Sequence, residues 1–335
     1  RTRSRRPVLV RAAVVGVGAL GARTARQTLS LGEVDRLLVA DRDLDRAKAV
    51  ARSLGSPAEA IAATDLDFRG VDVAVLAHPD AEGRAREALR AGCHVVVPSG
   101  LLRTAKALLA LDAEARERGR VVVAGAGLSP GLSCLLALEA AGSFDSVASI
   151  DVSTVGAGGP ACARERRSAL ASAGLRWDGA WHQERGGTGR RLAAFPDPVG
   201  AKDCFFAGTA EPLLLGAAFP GARVTATVAA SAFARLTAAL PPPPARKAAD
   251  TALGAVRVEL HGHGPGGAGV RVLGAIDRPA LAGGAVAALA AHWAVGRRFK
   301  QDGAAGLASL VVDPQEFLRE LAVLGVRAAE FVGTS

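Results

Sequence analysis

The chain has 335 residues, half of them hydrophobic, and a formal net charge of +9. That is enough apolar material for a large core and enough length for two domains, which excludes a disordered tail. All but five of the 41 basic residues are arginine, spread along the chain without a basic stripe interleaved with aromatics, which argues against a nucleic-acid surface.

The chain starts basic and then apolar ("RTRSRRPVLVRAAVV") and runs into a glycine cluster without a small-residue cleavage site. It reads as a strand rather than a signal peptide, and a cytoplasmic location is expected. With no methionine anywhere, position 1 included, the numbering is expected to begin after a trimmed start. Short Val-, Leu- and Ala-rich runs follow at 8–15, 36–40, 72–77, 94–98 and 120–124, with a weaker strand expected within 59–68. Runs of this kind suit strands covered on both faces. Helical patterns alternate with them, as at 101–112, where Leu101, Leu102, Ala105, Leu108 and Leu109 recur at spacings of three and four. Strand and helix in alternation predict a doubly wound parallel α/β sheet.

The first βα turn is "VVGVGALGARTA" (14–25). Gly16 ends the first strand, Gly18 lets the backbone approach a diphosphate, and Gly21 allows a helix from Ala19 to Leu31 to pack closely on the sheet. Val17, Ala19 and Leu20 complete this cofactor cradle, at a helix start whose free N–H groups and dipole attract an anion. Asp41, at the tip of the second strand in "VADRD", is placed to accept the ribose hydroxyls of NAD. Helix capping by Asp41 and Asp43 is the alternative, and the two roles can coexist. Arg42 would stack on adenine or grip the extra phosphate of NADP. Ala77, His78 and Ser99, at the ends of the fourth and fifth strands, belong to the same carboxyl edge. There His78 contacts the nicotinamide or caps the next helix. The expected cofactor is NAD, with NADP as the alternative.

Beyond residue 142 the pattern changes to apolar–polar alternation at 146–154, 223–230, 255–262 and 269–276, predicting a mostly antiparallel sheet in a second, α+β domain. The stretches 156–167 and 185–190 read as Gly- and Arg-rich connections, and "PPPP" (241–244) as a surface loop. The longest apolar stretch, 281–296, contains His292 and Trp293 and falls short of the ~20 residues of a bilayer span. A helix near 279–297 and a last one presenting Phe317, Leu318, Leu321, Leu324 and Ala328 are expected to pack back on the body. The domains are therefore drawn at 1–142, 143–278 and 279–335. Cys93, Cys134, Cys162 and Cys204 lack metal-ligand spacing and read as buried free thiols in a reducing compartment, with no metal.

The Rossmann fingerprint, "VADRDLDRAKAVA" (39–51) and the "GLSPG" turn (127–131) leading into a helix together resemble the saccharopine dehydrogenase-like oxidoreductases over residues 10–142. The family's turn usually carries Asp where this chain has Ser129, and the tip of its fifth strand often reads D-x-[ST]-G where this one reads "VPSG". The resemblance implies hydride transfer to or from a small amino-acid-like substrate through an imine, secondary amine or 2-oxo acid. It also implies a helix N-terminus at Ser129 and Gly131 facing the interdomain cleft, suited to a substrate carboxylate. Arg164, the first of three closely spaced arginines in "GGPACARERR", is expected to bind such a carboxylate, or to lie on a solvated face with Arg166 and Arg167. Lys202, beside Asp203 after a Pro-Val-Gly turn, is a candidate proton donor or a surface ion pair. His182, between Trp181 and Gln183, would roof the cleft or sit in a packed surface loop. A small-molecule substrate and a homodimer are expected, with neither nucleic acid nor membrane as partner. A glucose-fructose oxidoreductase-like enzyme is disfavoured because "VVPSG" lacks that group's Glu-Lys-Pro, and a nucleotide sensor that retains the cradle without catalysis is the remaining alternative.

Overall fold

In the computed structural model, residues 10–32, 34–240 and 252–331 are described. The proline run at 241–244 lies outside them. The first half forms β1 (Val10–Val15), β2 (Val34–Asp41), β3 (Ala58–Ala62), β4 (Val73–Leu76), β5 (His94–Val97) and β6 (Val121–Ala124), all parallel, in the order β6-β5-β4-β1-β2-β3. β4, β5 and β6 are buried along their whole length, which is why they read as unbroken Val and Ala runs.

The crossovers are α1 (Ala19–Ser30), α2 (Leu44–Leu54), α3 (Glu82–Arg90), α4 (Leu102–Leu109) and α5 (Asp112–Glu117). The helix expected over 101–112 thus ends early. A turn at Ala110 and Leu111 intervenes, and Asp112 starts a new helix while its carboxylate accepts from Ala304 N at 2.8 Å. α6 (Leu132–Ala141) follows β6 and is buried on nearly every side, as its uniform apolarity requires.

The second sheet is built from β7 (Ser146–Val155), β8 (Gly174–Trp177), β9 (Trp181–Glu184), β10 (Arg191–Ala193), β11 (Lys202–Phe206), β12 (Arg223–Ala229), β13 (Gly254–Gly264) and β14 (Gly267–Asp277). Its main path runs β10-β11-β12-β7-β13-β14, and β8 pairs with both β12 and β9. Only the β12–β7 pair is parallel. The helices α7 (Pro160–Ala171), α8 (Glu211–Ala218) and α9 (Ala232–Leu236) accompany it. α7 corrects the sequence reading of 156–167 as a connection. Gly159 at φ +94° turns the chain, and Pro160 at the first helical position forfeits no needed N–H.

The chain then returns to the first sheet. α10 (Pro279–Val295) packs on α1, close enough that a Cβ at Gly284 would lie 2.8 Å from Arg23 Cβ. β15 (Gly303–Ala305) adds a seventh parallel strand beside β6. α11 (Leu307–Leu310) and α12 (Pro314–Val323) follow, and β16 (Ala329–Glu330) closes on β14. Phe317 of α12 is fully buried against Trp293 of α10, with ring centroids 4.8 Å apart. Among the described residues, no helix is long and apolar enough to cross a membrane.

Candidate active site

The three glycines of the first turn do three different jobs. Gly16 has φ +87°, and a Cβ there would come within 2.7 Å of both Ala77 O and His78 Cβ, so the ends of β1 and β4 close on each other only without a side chain. At Gly21 a Cβ would stand 2.0 Å from Gly16 O, which forbids any side chain where α1 crosses the turn. Around a Cβ at Gly18, by contrast, no described protein atom lies within 4 Å. The turn is bare on its outer side. α1 has no side-chain N-cap and no acid in its first turn, so the first N–H groups, including those of Ala19 and Leu20, are left for a ligand.

Asp41 holds this turn in place. Its carboxylate is 7% exposed, with Oδ2 accepting from Val17 N and Oδ1 from Asp43 N, both at 2.9 Å. Asp43, not Asp41, caps α2 through Arg46 N. The arginine paired with Asp41 is Arg46, at 3.4 Å. Arg42 is exposed and makes no hydrogen bond or ion pair among the described residues, while adding a positive field at His78.

His78 follows β4 and does not cap α3, whose N-cap is Ala81. Its Nδ1 lies 2.7 Å from Pro79 O, and its Nε2 is buried without a partner among the described residues. Burial holds its pKa below the usual imidazole value. It lines a small cavity of about 50 Å³ with Leu20, Ala77, Pro98, Ser99, Cys162 and Glu165. Leu20, Pro98, Cys162 and Glu165 also border a larger cavity of about 120 Å³, whose wall includes Ser129, Arg166, Thr209 and Glu211. The two spaces therefore share a wall between the glycine turn and the second domain.

Two carboxyls dominate the larger cavity, and neither was foreseen. Glu165 accepts a hydrogen bond from Ser99 Oγ, so the Ser99 hydroxyl is engaged by a carboxyl. Burial pushes Glu165 above the ordinary carboxylate range, against the pull of Ser99 and Arg103. Glu211, 2% exposed at the start of α8, accepts from Ser129 Oγ, and burial raises its pKa too. Reading α7 as a helix exposes the signal for the first: Cys162, Glu165, Arg166 and Ala169, at spacings i, i+3, i+4 and i+7, all face the cavity. Glu211 is the only charge in the apolar segment 204–219, a signal in plain view.

Several expected residues lie elsewhere. Arg164 is exposed and borders neither cavity. Arg166 does border the larger one, but its Nη1 and Nη2 donate to Gly156 O and Ala229 O. Arg167 donates to the carbonyls of Thr237 and Leu240. Lys202 is exposed, Asp203 pairs with Arg190 at 2.9 Å, and neither borders either of these two cavities, β11 lying toward one edge of the second sheet. His182 sits on the exposed strand β9, not in a roofing loop. Gly131, at φ +123°, would place a Cβ 2.2 Å from Gly127 O. Its tight turn also consumes the helix start: Leu132 N donates to Gly127 O and Ser133 N to Leu128 O. The N-terminus of α6 is thus not free for a substrate carboxylate. Cys162 is only half-buried, and the other three thiols are buried.

No protein-family model matches the sequence, and neither does any curated protein. Solved structures do match. Amine dehydrogenase from Mycobacterium smegmatis is 14% identical with a TM-score of 0.54, covering 91% of this chain and 98% of its own. GenD2 of gentamicin A biosynthesis, solved with NAD, is 17% identical with a TM-score of 0.50, covering 98% of each chain. The likeness is greater to saccharopine dehydrogenase (L-Glu forming) from Saccharomyces cerevisiae, which is 16% identical with a TM-score of 0.67 over 96% of this chain and all of that one. The chain thus has the fold of saccharopine dehydrogenase, a parallel Rossmann sheet joined to a mixed, mostly antiparallel one.

Proposed function

We propose that this protein is an NAD(P)-dependent oxidoreductase that moves a hydride to or from a small amino-acid-like substrate. The observation that supports this most is the shared wall of the two cavities. Leu20, at the open glycine turn, and Glu165, a buried carboxyl, border both spaces. The residues present fit a dinucleotide. The side-chain-free approach at Gly18, the uncapped start of α1 and the unpartnered Nε2 of His78 are each an unmet demand that such a ligand answers. Gly16, Val17, Gly18, Ala19, Leu20 and Gly21 would hold the diphosphate, and Asp41 the adenosine ribose. A carboxylate there repels a 2′-phosphate, so NAD is favoured over NADP. When bound, the nicotinamide supplies the hydride donor or acceptor.

The protein's own part is to position and to handle the proton. His78 and Pro98 line the smaller cavity. Glu165, held by Ser99, borders both spaces, and burial raises its pKa, which suits a carboxyl that gives and takes a proton. Leu101, Val228 and the other apolar lining of the larger cavity exclude water. Titration with NADH by fluorescence, then a screen of amines with 2-oxo acids that follows NADH consumption, tests the reading. Binding with turnover of at least one pair is the expected result. Glu165→Gln should cut kcat by about 10²–10⁴ and leave NADH affinity unchanged. Tight NADH binding with no pair consumed would leave a nucleotide-binding protein, and no binding would remove the reading altogether.

A further inference from the structure

The larger cavity holds a second carboxyl that the proton-handling role of Glu165 does not use. One oxygen of Glu211 accepts from Ser129 Oγ, while its Oε2 is buried with no hydrogen-bond partner among the described residues. Thr209 Oγ1, on the same cavity wall, faces this carboxyl and has no other partner among the described residues. Buried polar atoms in native proteins are nearly always satisfied, and a carboxylate oxygen only accepts, so Oε2 of Glu211 calls for a stronger donor than the Thr209 hydroxyl beside it. An ammonium group has three N–H donors and no acceptor, and its positive charge would favour the ionised form of Glu211 against the burial that otherwise keeps the carboxyl protonated, the proton leaving to solvent.

The groups that would welcome a carboxylate already spend donors on the main chain. Both terminal nitrogens of Arg166 donate to main-chain carbonyls, and the first amides of α6 close its own turn. Arg164 and Lys202 face solvent outside the cavity. A cavity of about 120 Å³ exceeds by roughly tenfold the ~10–15 Å³ that one water needs, so it admits a small organic molecule.

We propose that Glu211, Ser129 and Thr209 form a subsite for a protonated primary amine, so that the substrate enters this cavity by its amino group and not by a carboxylate. The subsite rests on reading the cavity as the substrate chamber, yet amine binding needs neither cofactor nor turnover. Calorimetric titration of the full chain with butylamine and, separately, with butyrate provides the test. Butylamine should bind and butyrate should not. Glu211→Gln should weaken butylamine at least tenfold and Thr209→Val several-fold, with NADH affinity unchanged in both. Thermal melting shows whether each variant is folded. If Glu211→Gln does not fold, Ser129→Ala and Thr209→Val carry the same comparison. Failure of butylamine to bind, butyrate binding as tightly, or an amine affinity unmoved in the folded variants overturns the subsite. Failure of NADH to bind would instead overturn the oxidoreductase reading while leaving the amine comparison intact.

Discussion

Single atoms decide what the glycine turn tolerates. A methyl group at Gly18 meets no described protein atom, and φ −68° is an ordinary angle for alanine. Gly18→Ala should therefore keep stability within about 0.5 kcal/mol of the parent and weaken NADH at least tenfold. Gly21→Ala drives a methyl into Gly16 O and should cost about 1–3 kcal/mol or more. Thermal melts with and without NADH separate the two, and equal melting losses would mean that the outer side of the turn is not free. Glu211 gives a pH prediction. Burial raises its native pKa above the ordinary 4.5, so folding favours the neutral acid. The stability this lends is fully present below the unfolded value and is lost as pH rises through the native one. Glu211→Gln cannot ionise, so its melting temperature should gain on the parent's with rising pH. A constant difference from pH 4 to 8 would show that Glu211 does not titrate in that range.

Packing between elements sets the next scale. α10 approaches α1 through Gly284, where a Cβ would sit 2.8 Å from Arg23 Cβ and 3.0 Å from Thr24 N. Gly284→Ala should destabilise by about 1–3 kcal/mol through overpacking. Gly83, exposed in the first turn of α3 with open space around its Cβ position, is the converse case. Gly83→Ala should stabilise by about 0.4–1 kcal/mol by restricting the unfolded chain. Urea unfolding of the pair checks both signs, and a stabilising Gly284→Ala would contradict the close helix contact. The same scale explains what the sequence concealed. α7 is polar on its exposed side and interrupted by no long apolar run, so its Gly- and Arg-rich start masked a helix whose inner stripe carries Glu165.

Across the whole molecule, the C-terminal third completes the first half. β15 extends the parallel sheet beyond β6, and Asp112 fastens it through Ala304 N. Phe317 and Leu321 are fully buried, and Trp293 Nε1 donates to Glu320 of α12 at 3.0 Å. Phe317→Ala should cost about 3–5 kcal/mol and shift the emission of Trp293 to the red. A melting temperature within error of the parent would show that α12 is an appendage and not part of this core.

The sequence by itself determined the parallel sheet, its glycine turn and the carboxylate that anchors it, because these are local: strand burial shows in unbroken Val and Ala runs, and the turn needs three bare positions within six residues. Asp41 was legible from its place at a strand tip, whereas its bond to Val17 N was not. The cavity was decided only by the tertiary structure. Ser99, Ser129, Glu165 and Glu211 come from four separate elements or loops, up to 112 positions apart, and no spacing rule connects them. Which arginine reaches inward, and which carbonyls occupy it, likewise depends on how the second sheet lies over the first, since burial and partner choice are properties of neighbours distant in sequence.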